Sequence, residues 1–160
     1  MVTNVAWLLL SYRVPREPSA PRIAVWRRLK RLGVAQLGDG LVALPADART
    51  KEHLEWIAEL VDEAGGSSSL WRAEVTGRRD EERIIADLVA ARAAEYEAVI
   101  ARAHEAIEPE AARVLRSLRQ ELRQIERRDH FPPENRELAR AAVRELAERV
   151  SARATEAVVS

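Results

Sequence analysis

The chain has 160 residues, 47% hydrophobic and 32% charged, with 26 Lys or Arg balanced by 26 Asp or Glu. That length supports one core, or a core with a helical extension, and the apolar share separates the chain from disordered proteins. Zero net charge speaks against a bulk polycation wrapped on nucleic acid, and the lack of cysteine excludes a disulfide framework, thiol catalysis and thiolate metal sites.

The first half is expected to run β-α-β-β-α-β. Ala6 to Val14 reads as a strand that is apolar on both alternating sets, Trp7 and Leu9 on one and Leu8, Leu10, Tyr12 and Val14 on the other. Pro15 and Pro18 break it, and Ser19 is placed to cap a helix over about Ala20 to Leu32, with Val25, Trp26, Leu29 and Leu32 as its buried stripe and Gly33 as its stop. Val34 to Leu37 and Leu41 to Leu44 flank the hairpin signal Gly38-Asp39-Gly40. A second helix, about Thr50 to Ala64, buries Leu54, Ile57, Leu60 and Val61. The Gly66-Ser67-Ser68-Ser69 stretch reads as a turn, and Leu70 to Val75 as the fourth strand. Two β-α-β halves of this kind predict a ferredoxin-like α+β sandwich over residues 1–79. All four Trp fall in that half, which is therefore expected to hold the main core.

Residues 80–160 carry no strand signal and predict three long antiparallel α-helices, packed on the sheet or on a partner chain. Asp80 is placed to cap the first, whose stripe is Ile84, Leu88, Val99, Ile100, Ala103 and Ile107. Pro109 opens the second, where Ala111, Leu115, Leu118, Leu122 and Ile125 make a short heptad seam. Leu138, Ala142, Leu146 and Val150 form the stripe of the third. The longest apolar run near the start, Val5 to Leu10, is far short of the roughly 20 residues that cross a bilayer and lacks the basic leader of a secretory signal. The expectation is a cytoplasmic protein with no membrane partner.

Catalytic chemistry finds little support. His53, His104 and His130 stand apart with no second ligand at metal spacing. The serines after Gly66 have no legible base or oxyanion hole, and neither a phosphate loop nor a dinucleotide fingerprint is present. Small ferredoxin-like nucleases hold a metal with an acidic residue at the end of the first strand, a place occupied here by Ser11, Tyr12 and Arg13. No cofactor, no metal and no enzymatic activity are expected.

Charge is unevenly distributed: residues 1–50 hold 8 Lys or Arg against 3 Asp or Glu. Arg22, Arg27, Arg28, Lys30 and Arg31 lie on the first helix, with Arg13 and Arg16 just before it. Guanidinium forks match phosphate oxygens, so such a patch suits an anion; an ordinary solvated helix face accounts for the same residues.

Trp7-Leu8-Leu9-Leu10, the run Val14-Pro15-Arg16-Glu17-Pro18-Ser19 through Arg22, Val25-Trp26-Arg27-Arg28-Leu29-Lys30-Arg31-Leu32-Gly33, and Asp39-Gly40 through Leu44-Pro45 resemble the N-terminal region of ChrB-type chromate-resistance proteins. Arg127-Arg128-Asp129-His130-Phe131 resembles an Arg-Asp-aromatic-Phe segment of the same family. A related sandwich occurs in the central domain of PaaX-type repressors. The resemblance implies a transcriptional regulator of a chromate-efflux operon that binds promoter DNA. Arg22, Arg27, Arg28, Lys30 and Arg31 would then hold phosphates, with Arg16 acting from the loop; chromate, a dianion, is a further ligand these groups could take. No helix-turn-helix is legible, so DNA would be met by the sandwich and its arginines. The leading expectation is a DNA-binding regulator, a homodimer through its helical region. The alternative is a protein-interaction or dimerisation module whose helical seam docks a partner without DNA binding.

Overall fold

The computed structural model describes residues 5–159. It is a mixed α/β protein, mostly helical, with four strands and five helices among the described residues: β1 (Ala6–Arg13), α1 (Ser19–Leu32), β2 (Ala35–Gly38), β3 (Leu41–Pro45), α2 (Ala48–Glu63), β4 (Ser67–Glu74), α3 (Arg78–Glu105), α4 (Ala111–Arg127) and α5 (Arg136–Val159). The chain divides into two compact units, one up to Leu88 and one from Val89.

In the first unit the four strands form one antiparallel sheet in the order β2-β3-β1-β4. Register follows the apolar alternation: Leu8 faces Leu44 and Leu10 faces Val42 across β1 and β3. That face packs against Val25 and Leu29 of α1 and Leu54, Ile57 and Val61 of α2, all buried. A one-residue slip would turn Leu8 and Leu10 away from this core, so burial fixes the pairing. The opposite set includes Trp7, only 1% exposed. At the start of β1 the Val5 N–H donates to Oε1 of Glu81, a buried carboxylate, at 3.2 Å.

β4 begins earlier than expected. Ser67, Ser68 and Ser69 are strand residues paired with Arg13, Tyr12 and Ser11, not a turn. The exposed ladder along the second half of β1 supplies hydrogen-bond partners that outweigh the weak strand propensity of serine. The helix starts also differ. Ser19 is the first residue of α1 and the extended Pro18 holds the cap position with no side-chain cap bond. Asp80 lies inside the first turn of α3 rather than before it, where its carboxylate suits the helix dipole and pairs with Arg83 at 3.1 Å. α4 begins two residues after Pro109, with Glu110 at its cap.

Tryptophan burial departs most from expectation. Trp26, Trp56 and Trp71 are 50%, 58% and 59% exposed, so Trp26 is no part of the buried stripe of α1, which narrows to Val25 and Leu29. Lys30 Nζ instead sits 4.3 Å over the Trp26 ring. A 14-residue helix laid on a small sheet needs only a narrow strip of contact, and Trp26 falls on its flank.

The second unit has its own core. Tyr96, Val99 and Ala103 of α3, Ala111, Leu115, Leu118 and Ile125 of α4, and Ala139, Ala142, Val143 and Leu146 of α5 are buried together. The seam on α4 falls where its spacing placed it. On α5 the stripe holds at Ala142 and Leu146, with Val150 partly buried against the core, but its first position shifts, since Leu138 is exposed and Ala139 is buried; the small side chain lets α5 lie close to its neighbours, which a leucine there would prevent. Ile107 lies beyond the end of α3 and is exposed. No helix among the described residues is long and apolar enough to cross a membrane.

Candidate functional site

The carboxyl end of β1 leads into a loop, Val14 to Pro18, that turns back into α1. Two glycines close tightly on this end of the strand. Gly40 takes a left-handed backbone, φ +70°, and its carbonyl accepts from the Tyr12 N–H at 2.8 Å. A Cβ on Gly40 would stand 2.3 Å from the Tyr12 carbonyl oxygen, and one on Gly66 would stand 2.2 Å from that of Arg13. Only glycine permits either approach.

Between the loop, the first turns of α1 and the β2–β3 turn lies an open hollow of about 790 Å³. Tyr12, Arg13, Val14 and Arg16 line it from β1 and the loop, Arg22, Ile23, Trp26 and Arg27 from α1, and Gln36, Asp39 and Gly40 from the hairpin. Arg13 and Arg16 also border a second hollow of about 560 Å³ beside Gly65, Gly66 and Ser67. Burial pushes the Tyr12 phenol above its ordinary value; the hydrogen bond with Gln36 works against that shift, and the Asp39 charge adds to it. At neutral pH the phenol is therefore a neutral donor, able to bond an anion's oxygen.

Of the cationic residues singled out in the sequence, Arg13, Arg16, Arg22 and Arg27 come together at the hollow. Arg28, Lys30 and Arg31 are exposed on α1 but do not line it. Trp26, read from the sequence as a core residue because of its apolar character, also lines it. Among the described residues, none of Arg13, Arg16, Arg22, Arg27, Arg28 and Arg31 is paired with a carboxylate, whereas Arg92, Arg102, Arg128 and Arg140 each are. Four guanidinium groups at one hollow with Asp39 as the sole carboxylate in its lining repel one another, and an anion relieves that repulsion.

The Arg127 to Phe131 segment does something different. Arg128 forks onto Glu95, Nη2 to Oε1 at 2.8 Å and Nε to Oε2 at 3.3 Å. Arg92 lies 2.8 Å from the same carboxylate, and Asn135 Nδ2 donates to the Ala93 carbonyl at 2.9 Å. These bonds tie α3 to the connection between α4 and α5, so the segment is an internal brace. Among the described residues no cluster of three or more His, Asp or Glu is arranged to hold a metal ion.

The first unit is thus a small α/β sandwich that turns a group of uncompensated guanidinium ends to solvent. The family model described as Protein ChrB, N-terminal, matches residues 22–108, more than half of the chain, and the chain belongs to that family. The match takes in α1 with Arg22 to Arg31 and runs through α3, while Arg13, Arg16, α4 and α5 lie outside it. No curated protein and no solved structure matches the chain. Membership makes this a chromate-resistance-associated protein.

Proposed function

We propose that the chain is a non-enzymatic regulatory module that binds promoter DNA of a chromate-efflux operon, and that its first unit is a ferredoxin-like sandwich serving as the DNA-facing body. The antiparallel order β2-β3-β1-β4 with α1 and α2 on one face supports that architecture. The observation that carries the functional reading is the gathering of Arg13, Arg16, Arg22 and Arg27 at one hollow without ion-pair partners among the described residues. Structural arginines are usually spent on carboxylates; these are left to solvent, where they suit phosphate oxygens. Arg28, Lys30 and Arg31 extend the positive surface along α1, and a two-fold dimer would present two copies to an operator.

The alternative, an interaction module without DNA binding, needs an apolar surface to offer a partner. Leu115, Leu118 and Leu122, its candidates, pack into the core of their own chain, the first two buried and the third partly so. The test is binding of the full chain to its own upstream DNA by fluorescence anisotropy at several salt concentrations. DNA binding predicts affinity that falls steeply with salt and a triple variant R16Q/R22Q/R27Q whose slope is less steep by roughly 2 to 3. A salt-insensitive wild type, or an unchanged slope in the variant, defeats the reading. Chromate is a dianion of the same chemistry, so its addition should weaken wild-type binding more than that of the variant.

A further inference from the structure

The outer face of α4 carries Arg113, Arg116, Arg119, Arg123 and Arg127, all exposed. At 100° per residue, Arg116, Arg119, Arg123 and Arg127 fall within an arc of roughly 80° and span about 16 Å of helix axis. No acid shares that arc. The acids of α4 are committed elsewhere: Glu121 is bound by Arg102 and Glu126 by Arg140 at 2.5 Å. Arg113 is paired with Glu110 at 3.4 Å. Arg116, Arg119 and Arg123 have no carboxylate partner among the described residues. Both acids of the helix are thus neutralised from other helices, while Arg116, Arg119 and Arg123 remain as a positive row.

We infer that this arginine row on α4 is a second nucleic-acid-contacting surface, gripping backbone phosphates of duplex DNA. The proposal rests on the reading above only in taking DNA as the ligand; α4 lies outside the residues matched to the family, and its own geometry carries the assignment. Charge complementarity favours a polyanion with closely spaced charges, since a duplex offers a phosphate roughly every 1.7 Å along its axis. A membrane surface fits less well, because an interfacial helix inserts its apolar face and that of α4 is buried in the core through Ala111, Leu115, Leu118 and Ile125. A protein partner fits less well too, because the row has no aromatic or large aliphatic anchor.

The experiment uses the full chain, its upstream duplex and anisotropy across a salt series. R116Q/R119Q/R123Q keeps good helix formers at exposed positions and should fold. Its binding should be at least tenfold weaker at low salt, with a log–log slope less steep by roughly 2 to 3, and each single variant should reduce the slope by about 0.9. R116K/R119K/R123K, which keeps the charge, should keep the slope. Should the triple glutamine variant fail to fold, the single variants R119Q and R123Q decide. A wild-type slope in the glutamine variants, with R16Q/R22Q/R27Q still impaired, overturns the α4 surface and leaves the proposed function standing. The converse result keeps α4 and removes the hollow. Absence of DNA binding by the wild type sinks both, and loss of binding to phosphatidylserine vesicles with unchanged DNA affinity overturns the choice of ligand.

Discussion

The hydroxyl of Tyr96 donates to Oδ2 of Asp129 at 2.7 Å, joining α3 to the connection that follows α4. Tyr96 is fully buried in the core of the second unit, so its removal leaves an aspartate without its donor. Tyr96→Phe should therefore destabilise the chain by about 1.5–3 kcal/mol, read as a lower denaturation midpoint at unchanged slope. Burial, then the Asp129 hydrogen bond and the Asp129 charge, hold the phenol above its ordinary value of 10.0. The native group stays protonated while the unfolded one ionises, so this contribution is complete below about pH 10 and is lost as the pH climbs through the raised native value. The stability gap between wild type and Tyr96→Phe should narrow above about pH 10. A gap that stays constant there would contradict the assignment.

Trp7 and Trp26 make a second contrast. Trp7 is 1% exposed in the central strand and Trp26 is 50% exposed on α1. Trp7→Ala should cost about 3–5 kcal/mol, as a large cavity under the sheet demands. Trp26→Ala removes a ring that covers Lys30 and borders the hollow, and should cost less than about 1 kcal/mol. Equal losses in thermal or urea melts would mean that the flank position of Trp26 is wrong.

These two residues show what was legible in the sequence. Strand β1 and the seam of α4 rest on periodicity, which burial enforces directly, and the hairpin at Gly38 to Gly40 on the glycines that its turn requires. Trp26 has the same apolar character as Val25 and Leu29, and no local signal separates the flank of a helix from its buried line. The serines of β4 became strand because β1 offers them a ladder, a tertiary fact invisible in their own composition. The α2 start was written in the chain yet read two residues late: Asp47 Oδ1 accepts from the Thr50 N–H at 2.8 Å and Thr50 Oγ1 accepts from the Asp47 N–H at 3.0 Å, a reciprocal cap. The arginines of α1 were visible as a cluster, but which of them meet at the hollow depended on the return of the Val14 to Pro18 loop. The arginine row on α4 lies between the seam positions, where apolar spacing carries no signal.

The two glycines of the β2–β3 hairpin separate backbone strain from mere presence in a turn. Gly40 has φ +70°, and a Cβ there would meet the Tyr12 carbonyl oxygen at 2.3 Å, a backbone atom held in the sheet. Gly38 has no atom within 4 Å of its would-be Cβ and no positive φ. Gly40→Ala should therefore cost about 1–3 kcal/mol for the left-handed backbone, and more for the clash, while Gly38→Ala should be neutral or slightly stabilising through the unfolded state. Because Tyr12 and Gly40 both line the hollow, Gly40→Ala should also weaken DNA binding under conditions where it remains folded, and Gly38→Ala should not. Paired melts and anisotropy titrations check this: a Gly38→Ala variant as damaged as Gly40→Ala would place the constraint in the turn as a whole rather than in the approach of Gly40 to Tyr12.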